Sequence, residues 1–328
     1  MVTRIDSEED LKNNTQKIRA MNPLRRQFIY LIEIFVHYVK ARTAPVYCFP
    51  IATLISFLLI SKADILEQGF AALGICIASY FLALATYVYN DLTDIKVDMI
   101  NRKEQSIITQ NQSKSGLIIL VVFLFGLSIS ISYVVSYYTL FISMIFIVLG
   151  IIYSHPKFNL KSRFPLKTVV TATGAGLLSL LGGVAAIANG PSYIPSFNTP
   201  VLPLSIIYLA FSFSMFYFIQ SPMGDIADIN GDRAAGRKTF PLVLGMNGTL
   251  AVMLSVPFII LIMNALCYDL VHISVCGIAA IITTCLLVVG FIGWISNRLH
   301  DPLFIKSNRN NVRYLNILMQ VALLIALI

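Results

Sequence analysis

Residues 71–98 read AALGICIASYFLALATYVYNDLTDIKVD. The stretch 71–89 carries no charged side chain, and as a helix it is long enough to cross the ~30 Å hydrocarbon core of a bilayer. Asn90-Asp91-Leu92-Thr93-Asp94-Ile95-Lys96-Val97-Asp98 follows it without a break. A second apolar run ends the same way, in Asp225-Ile226-Ala227-Asp228-Ile229-Asn230-Gly231-Asp232. Both groups have the spacing D-x-x-D-x-x-x-D, and positions i, i+3 and i+7 share one face of a helix. Six of the chain's 16 acidic residues are gathered here. Carboxylates at a membrane boundary are costly and are seldom set there in groups without a cation to hold. One such group alone would read as helix-end solvation; two of identical spacing argue for a site.

The rest of the chain agrees with a membrane protein. It is 57% hydrophobic and only 12% charged, with a mean hydropathy of +0.78, where a soluble domain is about one quarter charged. Apolar runs are expected to span at 44–61, 71–89, 115–134, 137–153, 168–188, 202–222, 247–267, 271–295 and 313–328. Only a tight hairpin around Ser136 separates the third and fourth. All but Lys62 of the 24 basic residues then fall on one side of the alternation. The positive-inside rule puts that side, and the N-terminus, in the cytoplasm. Both aspartate groups fall on the same side, at the ends of spans 2 and 6. The expected fold is an all-α membrane protein with nine transmembrane helices in one bundle. Residues 1–26 read as a polar cytoplasmic tail without the apolar core of a signal peptide. Residues 27–42 read as an amphipathic lead-in helix, with Glu33, His37 and Lys40 on one side and Phe28, Leu31, Ile32 and Phe35 on the other. Residues 43–328 form the bundle. The formal charge of +8 does not indicate a nucleic-acid partner, because the basic residues punctuate membrane spans.

All-oxygen ligands with no His or Cys beside them suit a hard cation such as Mg²⁺, which keeps positions open for substrate phosphate. Two such sites face to face would hold a diphosphate between them and draw charge from it as it leaves. Lys157, Lys161, Arg163, Lys167, Arg233, Arg237 and Lys238 lie nearby in sequence as candidate phosphate contacts. An apolar bundle beneath would take a hydrocarbon tail. The substrate class that fits is a lipid-like diphosphate cleaved at its C–O bond.

Asn90-Asp91-x-x-Asp94-x-x-x-Asp98, followed by Asn101-Arg102, resembles the first signature of the UbiA superfamily of intramembrane prenyltransferases. Asp225-x-x-Asp228-x-x-x-Asp232-Arg233-x-x-Gly236-x-x-Thr239-x-Pro241, with Gly245, resembles the second. Tyr153-Ser154-x-Pro156 with Lys161 and Lys167 is similar to the family's loop after span 4. The resemblance covers roughly residues 38–328. It implies a UbiA-like bundle and Mg²⁺-dependent ionisation of a polyprenyl diphosphate, with two ions. It implies capture of the allylic cation by a lipophilic acceptor in the membrane. By position it implies Asn90, Asp91, Asp94 and Asp98 at one metal and Asp225, Asp228 and Asp232 at the other. Asp94, Asp225 and Tyr153 would act in catalysis. Arg42, Lys157, Lys161, Arg163, Lys167 and Arg233 would contact the diphosphate.

The sequence departs from the family where many members continue the first motif with R-P-I-P-S-G. Here Lys103-Glu104-Gln105-Ser106-Ile107-Ile108-Thr109 stands instead. The style of D-I-A-D-I-N-G-D-R resembles archaeal ether-lipid members, which points to a glycerol-phosphate lipid as acceptor, as in geranylgeranylglyceryl phosphate geranylgeranyltransferases. A quinone-precursor aromatic is the other acceptor class. The expected location is a prokaryotic cell membrane with the site facing the cytoplasm. A terpene cyclase of the same superfamily is the second expectation. A cation-coupled transporter is the third, disfavoured because the carboxylates sit at span ends and not mid-span.

Overall fold

The computed structural model describes residues 23–61, 68–101, 114–189 and 203–328. The first part of the polar tail, Lys62 and the segment from Arg102 to Thr109 lie outside the described residues. Apart from one 3₁₀ turn, Leu160–Ser162, the regular structure is α-helical. The helices are α1 Pro23–Ala41, α2 Thr43–Ser61, α3 Gly69–Ile100, α4 Lys114–Val135, α5 Tyr137–Ser154 and α6 Leu166–Asn189. They continue as α7 Leu204–Met215, α8 Tyr217–Ala227, α9 Ile229–Ala234, α10 Phe240–Val271, α11 Val275–Ser296 and α12 Pro302–Leu327.

Among the described residues eight segments are long and apolar enough to cross a membrane, with α7 and α8 counted as one. The remaining expected span, the first, lies in α2, Thr43–Ser61, and its described apolar stretch is Val46–Ser61. Large apolar side chains face outward all round the bundle: Phe70 is 92% exposed, Val134 83% and Leu286 67%. Outward apolar cover of this extent belongs in lipid, and the protein is an integral membrane protein.

Local signals set several of the ends. Ser136, extended at φ −173°, caps α5 by accepting from the Thr139 amide at 3.1 Å, which makes the expected tight hairpin with α4. Asp301 accepts from the amides of Leu303 and Phe304 at 3.0 Å each, with Pro302 in the first turn. The last helix therefore starts at Pro302 and not at 313 as the hydropathy suggested, because a cap and a first-turn proline carry the helix through the polar stretch that follows. The lead-in helix starts at Pro23. Among its described side chains Ile34 and Tyr38 are buried, while Phe28 and Ile32 are exposed at 64% and 45%. The buried seam of α1 is thus narrower than the apolar face expected of it.

Two apolar clusters fill the bundle. One joins α1–α6 with Phe213 and Tyr217; the other joins α7, α8 and α10–α12 with Ile55 and Leu59 of α2. In place of side-chain bulk, small residues let α2, α3 and α6 approach closely. The Thr53 hydroxyl donates to the Leu178 carbonyl at 2.7 Å and meets Ser79 Oγ at 2.9 Å. A Cβ on Gly182 would stand 1.8 Å from the Thr53 carbonyl oxygen.

Candidate active site

Helix α3 runs on through its polar end to Ile100, so its three aspartates do share a face. Asp91, Asp94 and Asp98 are 1%, 6% and 3% exposed. The second group is built differently. Helix α8 stops at Ala227, Asp228 turns the chain at φ −107°, and the short α9 carries Asp232. Asp225 and Asp232 are each 1% exposed. The two groups are tied together by Asn101 at the end of α3, whose Oδ1 accepts from the Gly231 amide at 2.8 Å. A Cβ on Gly231 would lie 2.4 Å from Asn101 Nδ2, so the Asn101 amide must turn aside and give up this bond. Gly231→Ala is therefore expected to break the tie between the two aspartate groups and lower turnover about tenfold, in keeping with the steep cost of misplacing a reacting geometry. Steady-state kinetics beside a melting curve checks this; unchanged kcat would show that the tie is dispensable.

Every aspartate that lines the cavity is met by a cation from another element. Arg42 pairs with Asp91 at 2.5 Å and lies over the Tyr87 ring. Lys161 pairs with Asp94 at 2.8 Å and donates to Asn90 Oδ1 and Thr93 Oγ1. Lys167 pairs with Asp225 and lies 3.7 Å from Asp232. Arg237 bridges the groups, pairing with Asp94 and, at 3.2 Å, with Asp232. Arg309 stands 3.9 Å from Asp228. The loops bearing Lys161 and Arg237 are joined by the Lys238 amide donating to the Ser162 carbonyl at 3.0 Å, and by the Phe164 and Phe240 rings, 5.0 Å apart edge to face. Burial pushes the Lys161 ammonium pKa below its ordinary value, and the Asp94 charge opposes that. Arg237 is also pulled down by burial, but Asp94 and Asp232 hold it above the ordinary value.

These side chains wall one polar cavity of about 180 Å³. It draws on the N-terminal ends of α2, α6 and α12 and the C-terminal ends of α3 and α8. An apolar chamber of about 150 Å³, walled by α2, α3, α5, α6 and α8, adjoins it. Tyr87, Asn90, Tyr153, Thr171 and Tyr217 line both. Tyr153 thus stands where the polar and apolar volumes meet.

The donor chemistry fits a hard divalent cation: the carboxylates and Asn90 supply only oxygen. Asp91 Oδ2 and Asp232 Oδ2 are buried with no hydrogen-bond partner among the described residues. As they stand, no three carboxylates converge on one point among the described residues, because each is turned to a basic side chain. The Lys167 ammonium lies between Asp225 and Asp232, and the Arg237 guanidinium between Asp94 and Asp232.

The structure gathers Asn90, Asp91, Asp94, Asp225, Asp228, Asp232, Tyr153, Arg42, Lys161 and Lys167 around this cavity. Asp98 is buried but not on its wall. Lys157, Arg163 and Arg233 are exposed and off the wall as well. Positive-inside topology accounts for their charge, so sequence could not separate them from the lining cations. Arg237, one of the nearby basic residues read as candidate phosphate contacts, lines the cavity; Arg309 and Arg313 line it too and were not among the expected site residues. The signal for the last two was periodic: Arg309, Arg313, Asn316 and Gln320 fall on one helical face.

Comparison with known proteins accords with this geometry. The model of the UbiA prenyltransferase family matches residues 49–317. Digeranylgeranylglyceryl phosphate synthase of Methanoculleus marisnigri is 29% identical over 162 residues, 49% of this chain and 53% of that protein. The synthase of Thermococcus sibiricus is 26% identical over 175 residues, 53% of this chain and 57% of that protein. The match thus spans about half the length of these curated relatives. Two solved structures share the fold. A UbiA homolog from Archaeoglobus fulgidus bound to GPP and Mg²⁺ has a TM-score of 0.62 at 20% identity, covering 88% of this chain and 99% of that one. The apo UbiA homolog from Aeropyrum pernix K1 gives 0.64 at 17% identity, covering 85% and 94%.

Proposed function

Because the chain belongs to the UbiA prenyltransferase family, we propose that it moves a polyprenyl group from a prenyl diphosphate to a lipophilic acceptor in the membrane, releasing diphosphate. The observation that carries this is the joined pair of volumes: a cavity lined by both aspartate groups and six basic side chains, opening past Tyr153 onto an apolar chamber. Asn90, Asp91 and Asp94 would hold one Mg²⁺, with Asp98 supporting that set from behind the wall, and Asp225, Asp228 and Asp232 would hold the second. Bound there, the metal supplies Lewis acidity at the diphosphate oxygens.

Lys161, Lys167, Arg237 and Arg42 grip and orient the diphosphate. The bond between the allylic C1 and the diphosphate oxygen breaks, and its electron pair leaves with diphosphate. The rings of Tyr153, Tyr87 and Tyr217 face the resulting cation and keep water from it. An acceptor hydroxyl oxygen then bonds to C1, and its proton passes to the departing diphosphate. We assign a glycerol-phosphate lipid as the acceptor, since the matched synthases are named for a glyceryl phosphate product with two geranylgeranyl groups. We place the protein in a prokaryotic cell membrane, as in the organisms of the matched synthases, and the basic ends of the spans support a cytoplasmic side for the cavity.

The test is direct. Purified protein, geranylgeranyl diphosphate, geranylgeranylglyceryl phosphate and Mg²⁺ should give a lipid heavier by one geranylgeranyl group, and EDTA should abolish it. A cyclic hydrocarbon formed without any acceptor would overturn the transfer reading in favour of cyclisation. Prenylation of an aromatic acceptor alone would overturn the assignment of the acceptor.

A further inference from the structure

The last helix turns a polar face inward that the proposed donor chemistry does not use. Arg309, Arg313, Asn316 and Gln320 follow one another along α12 at helical spacing. Arg313, Asn316 and Gln320 are 5%, 1% and 0% exposed, and both arginines line the polar cavity. Their charge is poorly answered. Arg309 has Asp228 at 3.9 Å. Arg313 donates from Nη1 to Asn310, but among the described residues it has no carboxylate partner, and its Nε makes no hydrogen bond. Deeper on the same face, Asn316 Oδ1 and both amide atoms of Gln320 are buried without partners. A buried guanidinium lacking a counter-ion is costly, and the ligand that relieves the cost is an anion.

The architecture says which anion. The walls of the apolar chamber come from α2, α3, α5, α6 and α8, and none from α12. Lys161 and Lys167 stand on the chamber's side of the cavity, in the 3₁₀ turn and at the start of α6. A donor whose chain fills the chamber sets its diphosphate against those lysines. Helix α12 packs instead against α11, α2 and α8 and presents Arg309 and Arg313 from outside the chamber wall.

We propose that Arg309 and Arg313 form a second anion site, which takes the phosphate monoester of the acceptor lipid while the donor's diphosphate occupies the first. Two guanidinium forks one turn apart match a dianionic phosphate with several acceptor oxygens. This deepens the transfer reading above and rests on it.

The experiment measures acceptor binding to the purified full chain in detergent, without donor or Mg²⁺, and donor binding in a separate titration without acceptor. The probes are geranylgeranylglyceryl phosphate, the same lipid lacking phosphate, and glycerol phosphate lacking the chain. The phosphorylated lipid should bind at least about tenfold more tightly than either control. Arg313→Gln and Arg309→Gln should each erase about tenfold of that preference, the scale of one charge-assisted hydrogen bond. Arg313→Lys should keep part of it, through the charge without the fork, and affinity for geranylgeranyl diphosphate should stay within about twofold of wild type in all three variants. Equal binding of the two lipids would overturn the site. So would a parallel loss of donor affinity, which would assign the arginines to the donor's diphosphate. Binding of glycerol phosphate as tight as that of the lipid would overturn its lipid character. Absence of product from wild type would sink the transfer reading alone, since these binding results are read without turnover.

Discussion

Asp94→Asn is expected to lower prenyl transfer by about 10³-fold or more, the largest single loss at any cavity residue. Asp94 is held by Lys161 and by Arg237 at once. It also sits in the oxygen-donor set proposed for the first ion. Loss of a metal ligand forfeits several kcal/mol of charge stabilisation in the transition state, and each ~1.4 kcal/mol is a factor of ten in rate. The same change leaves Lys161, 5% exposed at its side chain, facing a neutral amide, while Arg237 keeps Asp232 at 3.2 Å. An orphaned buried charge costs about 3–5 kcal/mol, so stability should fall too.

The double variant Asp94→Asn with Lys161→Met separates the two effects. It removes both partners of the buried pair, so much of the melting temperature should return while activity does not. Rates are normalised to folded protein, and Mg²⁺ is titrated upward to test rescue. Asp228→Asn is the companion, because Asp228 is less buried and Arg309 is 3.9 Å away; it should lose rate with little loss of stability. Near-normal turnover in both single variants would remove the two-metal mechanism.

What sequence alone revealed of this protein follows from what is expensive in a membrane. Six aspartates in an apolar chain are costly exceptions, and their spacing states which way they point. The structure places Asp91, Asp94 and Asp98 on one buried face, as a helix carried past residue 90 requires. The second group is less regular than its spacing suggested, since the helix breaks at Asp228. The basic residues were poorly legible for the opposite reason. A Lys or Arg at a cytoplasmic span end is cheap, so Lys157, Arg163 and Arg233 look in sequence like Lys161 and Lys167. Only tertiary packing, through the Ser162–Lys238 backbone bond and the Phe164–Phe240 contact, brings Lys161 and Arg237 to the same carboxylate. Arg309 and Arg313 were hidden by hydropathy, which reads the polar stretch after Pro302 as a loop although Asp301 and Pro302 mark the start of a helix.

Gly182→Ala is expected to destabilise the bundle by about 3 kcal/mol or more, the largest structural effect of a single methyl group here. The atom it meets is a backbone oxygen, the Thr53 carbonyl, at 1.8 Å, with the carbonyl carbon at 2.7 Å. A side chain can rotate away from an intruding methyl; a helix backbone moves only if the whole helix does. Overpacking a site that can adjust costs about 1–3 kcal/mol, and this site cannot adjust locally. Moving α2 away from α6 also loosens the Thr53 hydroxyl from Leu178 and Ser79. It shifts Phe49, one turn nearer the cavity, whose ring belongs to the chamber wall. Activity should therefore fall along with stability, though Gly182 touches neither cavity. Gly126→Ala is the control, because that glycine lies in α4 with nothing within 4 Å of the added carbon. Relief of glycine's helix penalty should leave it neutral or stabilised by up to about 1 kcal/mol. Melting in detergent should separate the two variants widely. If they melt together, the close approach of α2 and α6 is not what holds the chamber's walls in place.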